Sequence, residues 1–300
     1  MRISSNTFSM LMLSTISDAQ QNEANLMEQM STGNRILRAS DDPIAAQRLM
    51  LIHNQKGDLD QYNENIDLLA IRLEKSEAHF ESIDSDITAA QDQVLSAMNA
   101  GKTSPDLKAI ATSLASLMGT LVSTSNSRDD DGNYLFSGTA TDQPTVAYDP
   151  NAPVGQRYSF KGNTGKQQAV VGEGVTADGN ASLNEMAGLL NQMDKAVDLL
   201  NKNPTDPNLQ KDLQPCLDAL KQTLTSVSAK EGQMGSTRKI LDGLKSNHEQ
   251  VGLADDQVND ALNMADPGMV AVQLNGYRVA AQASMQIYGE LSKLSIFNVL

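Results

Sequence analysis

The chain has 300 residues, enough for two or three domains, and its aromatic content is only 4% with no tryptophan. Aromatic side chains usually dominate globular cores, so this composition favours thin seams between helices over a thick core. The formal net charge of −14 argues against a nucleic-acid surface, because neutralising phosphates requires clustered Lys and Arg.

The N-terminal segment predicts an amphipathic helix that ends at Gly33. Over residues 6–33 its apolar residues recur at steps of three and four, but polar residues interrupt the stripe. The stripe consists of Phe8, Leu11, Thr15, Ala19, Asn22, Leu26, Met30 and Gly33. A helix with so weak a stripe is marginal alone, so we expect it to pack against a partner helix.

Residues 30–51 contain a polar joint between this helix and the next. Ser40, Asp41 or Asp42 can cap the next helix by accepting hydrogen bonds from its free N–H groups. Pro43 fits the first turn, where its missing N–H costs nothing. The carboxylates could instead form a catalytic or metal-binding pair, but no His or Cys lies nearby, so we interpret them as caps.

The second helix carries the clearest pattern in the chain, a heptad stripe. One position of the repeat is Ile52, Leu59, Ile66, Leu73, Phe80, Ile87 and Val94. The alternate position is Gln55, Tyr62, Leu69, Ser76, Ile83, Ala90 and Ala97. The stripe predicts a coiled-coil-like helix of about 70 Å. After a break near Ser104-Pro105, a shorter seam predicts another helix: Leu107, Ile110, Leu114, Leu117 and Leu121.

Residues 139–180 change character and predict a small β-rich insert. Gly, Pro and Thr become frequent, and β-prone pieces occur at residues 145–148, 157–160 and 168–171. Residues 162–165, Gly-Asn-Thr-Gly, are interpreted as a hairpin turn rather than a phosphate loop, because no Lys-Ser/Thr pair follows them.

Helical patterns return at residue 182 and continue, with a loop at residues 201–207, to the C-terminus. Polar residues in the long stripe predict a break or bend at Lys230, His248 or Asp255. The contact face predicted for the last helix is Gly276, Ala280, Ala283, Ile287 and Leu291. Its small residues would let the first helix approach closely. The N- and C-terminal helices would then pair, and the chain between them would run out and back.

No constellation of residues indicates catalysis, a cofactor or a metal ion. Cys216 falls on an apolar helical stripe, which indicates a buried and unreactive thiol. His53, His79 and His248 have no ligand at helical spacing, and His248 is predicted to pack in a seam. The acidic run at residues 129–132 does not match a calcium loop.

Together these patterns predict a mainly α fold, an elongated out-and-back helical bundle or coiled coil with a small β-rich inserted domain. We expect paired terminal helices at residues 1–39 and 258–300, disordered in the monomer. A helical rod would comprise residues 40–138 and 181–257, and the outer domain residues 139–180. Marginal helices at both ends are typical of an assembly element that gains order from neighbouring subunits.

Several motifs resemble the flagellin superfamily, over essentially the whole chain. They are Met1-Arg2-Ile3-Ser4, Ser31-Thr32-Gly33-Asn34-Arg35-Ile36, Ala39-Ser40-Asp41-Asp42-Pro43-Ile44-Ala45-Ala46, Asp131-Gly132-Asn133-Tyr134-Leu135-Phe136-Ser137-Gly138-Thr139, Tyr158-Ser159-Phe160-Lys161-Gly162-Asn163-Thr164-Gly165 and the closing residues 282–300. The stretch at residues 131–139 resembles the family's hook–filament junction branch rather than flagellin proper. The resemblance implies a flagellin-like fold.

The resemblance also implies a structural protein of the bacterial flagellum, with no enzymatic activity and no cofactor. Such a protein self-assembles into an extracellular junction ring between the hook-side protein FlgK and the flagellin filament, and so serves motility. It is secreted unfolded by the flagellar type III apparatus, without a cleaved signal peptide, and the export chaperone FlgN is a transient partner. No nucleic-acid or membrane partner is implied.

Within such a ring, the joint would also make contacts between subunits. The charged residues expected to pair there are Arg35, Arg38, Asp41 and Asp42. Two alternatives stay open at this point. One is a short flagellin that forms the filament itself, and the other is a secreted coiled-coil adhesin or binding protein.

Overall fold

The computed structural model of the chain describes residues 2–99, 101–202, 204 and 206–297. The elements within these residues are, in order, α1 Arg2–Thr32, α2 Pro43–Met98, α3 Ser104–Ser125, β1 Val146–Tyr148, β2 Tyr158–Phe160, β3 Gln168–Gly172, β4 Val175–Asp178, α4 Met186–Lys202, α5 Leu209–Asn263 and α6 Pro267–Phe297. The predicted mainly α class with a small strand-containing region is confirmed.

The chain forms two compact units. The first unit comprises residues 1–59 and 249–300, and the second comprises residues 60–248. The first unit therefore holds α1, α6, the start of α2 and the end of α5, while the second holds the remaining helices and all four described strands. The finer division into three domains stays a prediction.

The heptad stripe of α2 forms the core of the second unit. Every residue of the two predicted heptad positions from Ile66 to Ala97 is buried. Before Ile66 the stripe is only half-buried, and Gln55 is exposed. The stripes predicted for the other helices of this unit join the same core through Leu107, Ile110, Leu114, Leu121, Leu190, Met193, Leu200, Leu213, Cys216 and Leu220. Helix α2 is therefore covered by its neighbours along its second half.

Helix α3 begins with a capping box. The Thr103 hydroxyl accepts a hydrogen bond from the Asp106 N–H, and the Asp106 carboxylate accepts one from the Thr103 N–H at 3.0 Å. The Thr103 hydroxyl also donates to the Asp106 carboxylate at 2.6 Å, and this bond first, followed by the one from the Thr103 N–H, lowers the pKa of the Asp106 carboxyl. By length and mean hydropathy α3 alone among the described helices could cross a membrane, yet its apolar stripe lies in the core, as in a core helix.

Phe136 fastens the beginning of the insert to α2. Its ring is fully buried and meets the Phe80 ring edge-on at a centroid distance of 5.2 Å, and the half-buried His79 ring at 6.0 Å. The Leu183 N–H donates to the Phe136 carbonyl at 3.2 Å, which ties the end of the insert to its beginning. Gly138 has φ +75°, and a Cβ there would overlap the Asn163 carbonyl oxygen, so this turn requires glycine.

The insert consists of two separate antiparallel strand pairs, β1 with β2 and β3 with β4. The strands at residues 145–148, 157–160 and 168–171 agree with the prediction to within a residue, whereas β4 was missed. The predicted hairpin turn at residues 162–165 is wrong, because β2 and β3 do not pair. Instead the Asn163 side-chain oxygen accepts hydrogen bonds from the Thr139 and Gly165 N–H groups, both at 2.9 Å.

Helix α4 holds the insert through two polar side chains. The buried Asp194 carboxylate accepts a hydrogen bond from the Gly155 N–H at 2.7 Å and pairs with the Arg157 guanidinium at 3.2 Å. Asn191 bonds both main-chain groups of Tyr158, its oxygen accepting at 2.9 Å and its nitrogen donating at 2.8 Å. The insert is thus positioned by specific hydrogen bonds as well as by the Phe136 ring.

Helix α5 runs unbroken to Asn263, so the break or bend predicted at Lys230, His248 or Asp255 is not present as a helix end. Partners on other elements hold the first two of these polar residues. Lys230 pairs with Glu185 at 2.7 Å, and the buried His248 ring lies 3.2 Å from the Asn63 side-chain oxygen. A polar residue in a helical stripe therefore does not by itself end a helix.

The break lies at residues 264–266, between α5 and α6. Asp266 caps α6 by accepting hydrogen bonds from the Gly268 N–H at 2.8 Å and the Met269 N–H at 3.3 Å. Pro267 then occupies the first turn. The signal that would have found this boundary is the Asp266-Pro267 pair, which repeats the Asp42-Pro43 pair at the start of α2.

Helices α1 and α6 pack against each other in the first unit. The buried residues of their seam are Ala19, Leu26, Ala265, Val270 and Ala281. The contact face predicted for the last helix is not the face that meets α1, because Gly276, Ala280, Ala283 and Ile287 are exposed. Likewise Phe8, Leu11 and Met30 of the predicted α1 stripe are exposed, while Ala19 and Leu26 lie in the seam.

We predict that Phe136→Ala lowers the free energy of unfolding by about 3–5 kcal/mol, because a fully buried aromatic ring leaves a cavity when truncated. The matched control is Leu68→Ala, since Leu68 is 63% exposed on the outer side of α2 and its truncation should cost within about 0.5 kcal/mol. Chemical denaturation of both full-length variants measures the difference. Equal losses in the two variants would contradict a fastening role for Phe136.

Candidate functional site

The described residues form no group of three or more His, Cys, Asp or Glu side chains that could hold a metal ion. Cys216 is buried among apolar side chains, and burial raises the pKa of its thiol to about 12, which keeps it protonated and unreactive. The prediction of an inert core cysteine agrees with this environment. The other candidates for a functional site are the surfaces of the terminal helices and of the joint.

The joint is a latch that ties residues 33–36 to residues 262–265. The Arg35 N–H donates to the Asn263 carbonyl at 2.6 Å, and the Ala265 N–H donates to the Gly33 carbonyl at 2.9 Å. These bonds frame a short antiparallel bridge between Asn34 and Met264. The end of α1 is therefore joined to the break between α5 and α6, more than two hundred residues away in sequence.

The side chain of Arg35 strengthens the latch. Its Nε and Nη2 atoms donate to the Leu262 carbonyl at 3.1 and 2.9 Å, and Nη2 also contacts the Asp42 carboxylate at 3.2 Å. The last carbonyls of a helix have no partner within the helix and carry partial negative charge. Arg35 thus neutralises the C-terminal end of α5 within its own chain.

The two aspartates of the joint have separate structural roles. Asp42 caps α2, accepting a hydrogen bond from the Ala45 N–H at 3.1 Å. That bond first, and the Arg35 guanidinium second, lower the pKa of the Asp42 carboxyl. Asp41 accepts hydrogen bonds from the Leu37 and Arg38 N–H groups at 3.1 and 2.9 Å, which shapes the turn. The interpretation of these residues as helix caps therefore agrees with the geometry of Asp42, whereas Asp41 bonds the turn before the helix instead.

Arg38 differs from the other three charged residues. Its side chain is exposed, and the Arg38 guanidinium forms no hydrogen bond or ion pair with the described residues. It borders a groove lined by Asn22, Asn25, Leu26, Gln29, Leu37, Arg38, Asp41, Gln273 and Tyr277. Of the four charged candidates, the structure therefore brings Arg35, Asp41 and Asp42 into bonds within the chain and leaves Arg38 available.

The terminal helices expose many large apolar side chains among their polar ones. The exposed large apolar residues on α1 are Phe8, Met10, Leu11, Leu13, Met27 and Met30, and those on α6 are Met269, Val272, Val279, Met285 and Ile287. We name these residues the outer apolar surface. The predicted interface residues Gly276, Ala280, Ala283 and Ile287 share this exposed side of α6, while the side chain of Leu291 lies outside the described residues. Large exposed apolar surfaces mark sites of protein–protein interaction.

Reasoning from sequence missed Leu262, Asn263 and Met264, the C-terminal half of the latch. A local sequence signal could have identified only part of this half of the latch. Asn263 just before the Asp266-Pro267 start is a residue type common at helix ends. Its pairing with Asn34, through a hydrogen bond of 3.0 Å, depends on a contact that no local pattern specifies.

Comparisons with known proteins agree with the fold. Residues 3–141 match the model of the bacterial flagellin N-terminal helical region. The flagellar hook-associated protein 3 of Escherichia coli is 25% identical over 91% of this chain and 91% of its own length.

Two solved structures extend the comparison. One, assigned to a flagellar hook-associated protein of Vibrio parahaemolyticus, has a TM-score of 0.68 and 28% identity, covering 75% of this chain and all of that one. The flagellar junction protein FlgL of Legionella pneumophila has a TM-score of 0.55 and 11% identity over 65% of this chain and 99% of its own, which shows likeness of fold.

We predict that Arg35→Ala loosens the latch while Arg38→Ala does not. Loss of a charge-assisted but partly exposed hydrogen bond should cost about 1 kcal/mol, or about a fivefold rise in exchange. Hydrogen exchange at the backbone amides of Arg35, Ile36 and Ala265, which lie in the latch, measures this directly. Unchanged exchange in Arg35→Ala, or an equal rise in both variants, would show that the guanidinium does not hold the latch.

Proposed function

We propose that the chain is a member of the flagellin superfamily and a structural subunit of the bacterial flagellum at the junction between hook and filament. The resemblance to the junction protein FlgL is supported along nearly the whole chain by the relatives named above. These relatives are structural proteins, and no catalytic role is assigned to the chain. A role in assembly follows from its surface rather than from any reactive group.

The observation that carries this proposal is the outer apolar surface. Helices α1 and α6 bury only a narrow seam against each other, so the apolar side chains on their outer sides stay in contact with water. Covering them with neighbouring subunits would remove apolar area from water, at roughly 25 cal/mol for each Å². Assembly is therefore the means by which these helices become stable.

The same surface supports self-assembly into a closed or helical array. Because it lies on one pair of helices, a neighbour can cover it with a different part of its own surface, which is a heterologous contact. We propose a ring whose inner surface is formed by the terminal helices. The partners on its two sides would be the hook-side protein FlgK and flagellin, as the family resemblance implies.

Export is also part of the proposal. Marginal terminal helices are compatible with passage through the flagellar type III apparatus in an unfolded state, with FlgN as a transient chaperone. The location would then be extracellular, reached without a cleaved signal peptide. The alternatives, a short filament-forming flagellin and a secreted adhesin, receive less support, because the named relatives are hook-associated proteins.

We predict that deleting the gene abolishes swimming and leaves hooks without filaments, while flagellin appears in the culture medium. A junction subunit is needed to attach the filament, so flagellin would be exported but not retained. Electron microscopy of the hook, together with flagellin in the medium, measures both effects. A trace amount in sheared flagella is expected, whereas dominance there would favour the short flagellin. Normal filaments in the deletion strain would refute the junction role.

We further predict that residues 1–35 and 265–300 exchange amide hydrogens in the monomer far faster than the core of the second unit. The seam between α1 and α6 buries few apolar side chains, so local opening there should cost little free energy. Exchange followed by mass spectrometry compares these segments with residues 66–97 of α2. Equal, strong protection in both parts would contradict the prediction.

A further inference from the structure

We propose that the groove beside Arg38 binds a carboxylate side chain from a second copy of this chain. This inference rests on the proposed assembly function and names the partner of one surface within it. The groove is built by three parts of the first unit: Asn22, Asn25 and Gln29 of α1, Arg38 of the joint, and Gln273 and Tyr277 of α6. It therefore exists only when α1 and α6 are paired.

Arg38 supplies the charge that a carboxylate would seek. The nearby acids are already occupied, since Asp41 accepts two backbone N–H groups and Asp42 pairs with Arg35. Within the part of the chain that the structure describes, the Arg38 guanidinium forms no ion pair, although the Asp41 carboxylate accepts the Arg38 backbone N–H at 2.9 Å. A planar guanidinium with five donors is suited to bind a carboxylate in a bidentate manner.

The amides of the groove supply further hydrogen-bonding groups. Asn22, Asn25 and Gln273 are side chains for which the described residues provide no hydrogen-bond partner. Gln29 donates to the Arg35 carbonyl at 2.8 Å, which leaves its side-chain oxygen available as an acceptor. Such a mixed set of donors and acceptors can bind the polypeptide that carries the carboxylate, as well as the carboxylate itself.

Charge complementarity favours a second copy as the occupant. The chain has 37 acidic and only 23 basic residues, so two copies repel each other unless cations meet carboxylates where they touch. The groove opens between the same two helices that carry the outer apolar surface. When neighbours cover that surface, an unpaired Arg38 would lose water without compensation, which is costly unless the neighbour supplies an anion.

Two carboxylates of the first unit are suited to this contact. Asp18 and Glu28 are exposed on α1, and the described residues offer neither of them a side-chain partner. Both belong to α1, which carries part of the outer apolar surface, so a neighbour that packs through α1 brings them with it. Each is therefore a defined candidate for the charge that meets Arg38.

The test is a charge exchange in full-length protein. Arg38→Glu should weaken self-association about tenfold or more, because it replaces attraction by repulsion at a contact that is dry in the assembly. Arg48→Glu is the matched control. Arg48 is exposed on α2, outside the groove, and its substitution makes the same change in net charge. Sedimentation velocity of the purified chains measures self-association, and thermal unfolding confirms that both variants fold.

The second arm combines Arg38→Glu with Asp18→Lys or Glu28→Lys. Recovery of self-association in either double variant, with each single variant impaired, would establish docking between copies. If Arg38→Glu associates normally, or if neither double variant recovers, the proposal is overturned.

The same variants in a gene-deletion strain separate this inference from the proposed function. If the strain without any copy already has normal filaments, the function fails, and sedimentation still tests the groove. If that strain lacks filaments but Arg38→Glu restores them as well as the unaltered chain does, the function stands and the groove proposal is overturned.

Discussion

The burial of one stripe on α2 is the constraint on which the second unit depends. A helix of 56 residues with an apolar residue every three or four positions must have that stripe covered to be stable in water. Helices α3, α4 and α5 cover it from Ile66 onward, and the Phe136 ring closes the same core from the insert. The two small strand pairs could not be stable by themselves, so their position depends on this attachment.

In the first unit, by contrast, most of the apolar surface of the helices is not covered. Its helices are as long as a core helix, yet the seam between them buries little more than Leu26, Ala265, Val270 and the adjoining Leu274. Most of their large apolar side chains point to water instead. A chain that is well packed at one part and under-packed at its ends can fold before assembly and still gain stability from it. This asymmetry supports the proposed role, in which the terminal helices gain stability from neighbouring subunits.

The charges of the joint separate into two kinds by their partners. Arg35 and Asp42 satisfy each other and the exposed ends of α5 and α2, so they hold the chain's own fold. Arg38 has no such task in the described chain, although it is only three residues away. Arg35 therefore serves folding, whereas the role proposed for Arg38 is in association, although both residues carry the same charge. The difference arises because Arg35 is bound by a backbone carbonyl at the end of a helix.

Local periodicity was sufficient to predict the elements whose pattern is strong. The heptad positions of α2, the stripes of α3 and α4, and the caps at Asp42 and Pro43 follow from helix periodicity and from the unpaired N–H groups of a helix start. Burial repeats with the helix turn, so a strong stripe reports its own buried face. The flagellin-like class followed from these patterns and the quoted motifs together.

The remaining features depend on contacts between distant parts of the chain. The stripes of α1 and α6 are weak, so which face is buried depends on the partner helix. Of the residues that the sequence favoured, Ala19 is buried but Leu11 and Gly276 are exposed, and the buried Ala281 was not predicted. The pairing of Arg35 with the Leu262 carbonyl joins residues 227 positions apart. No local pattern records such a contact, because it is produced when two distant helix ends meet and their unpaired polar groups find each other.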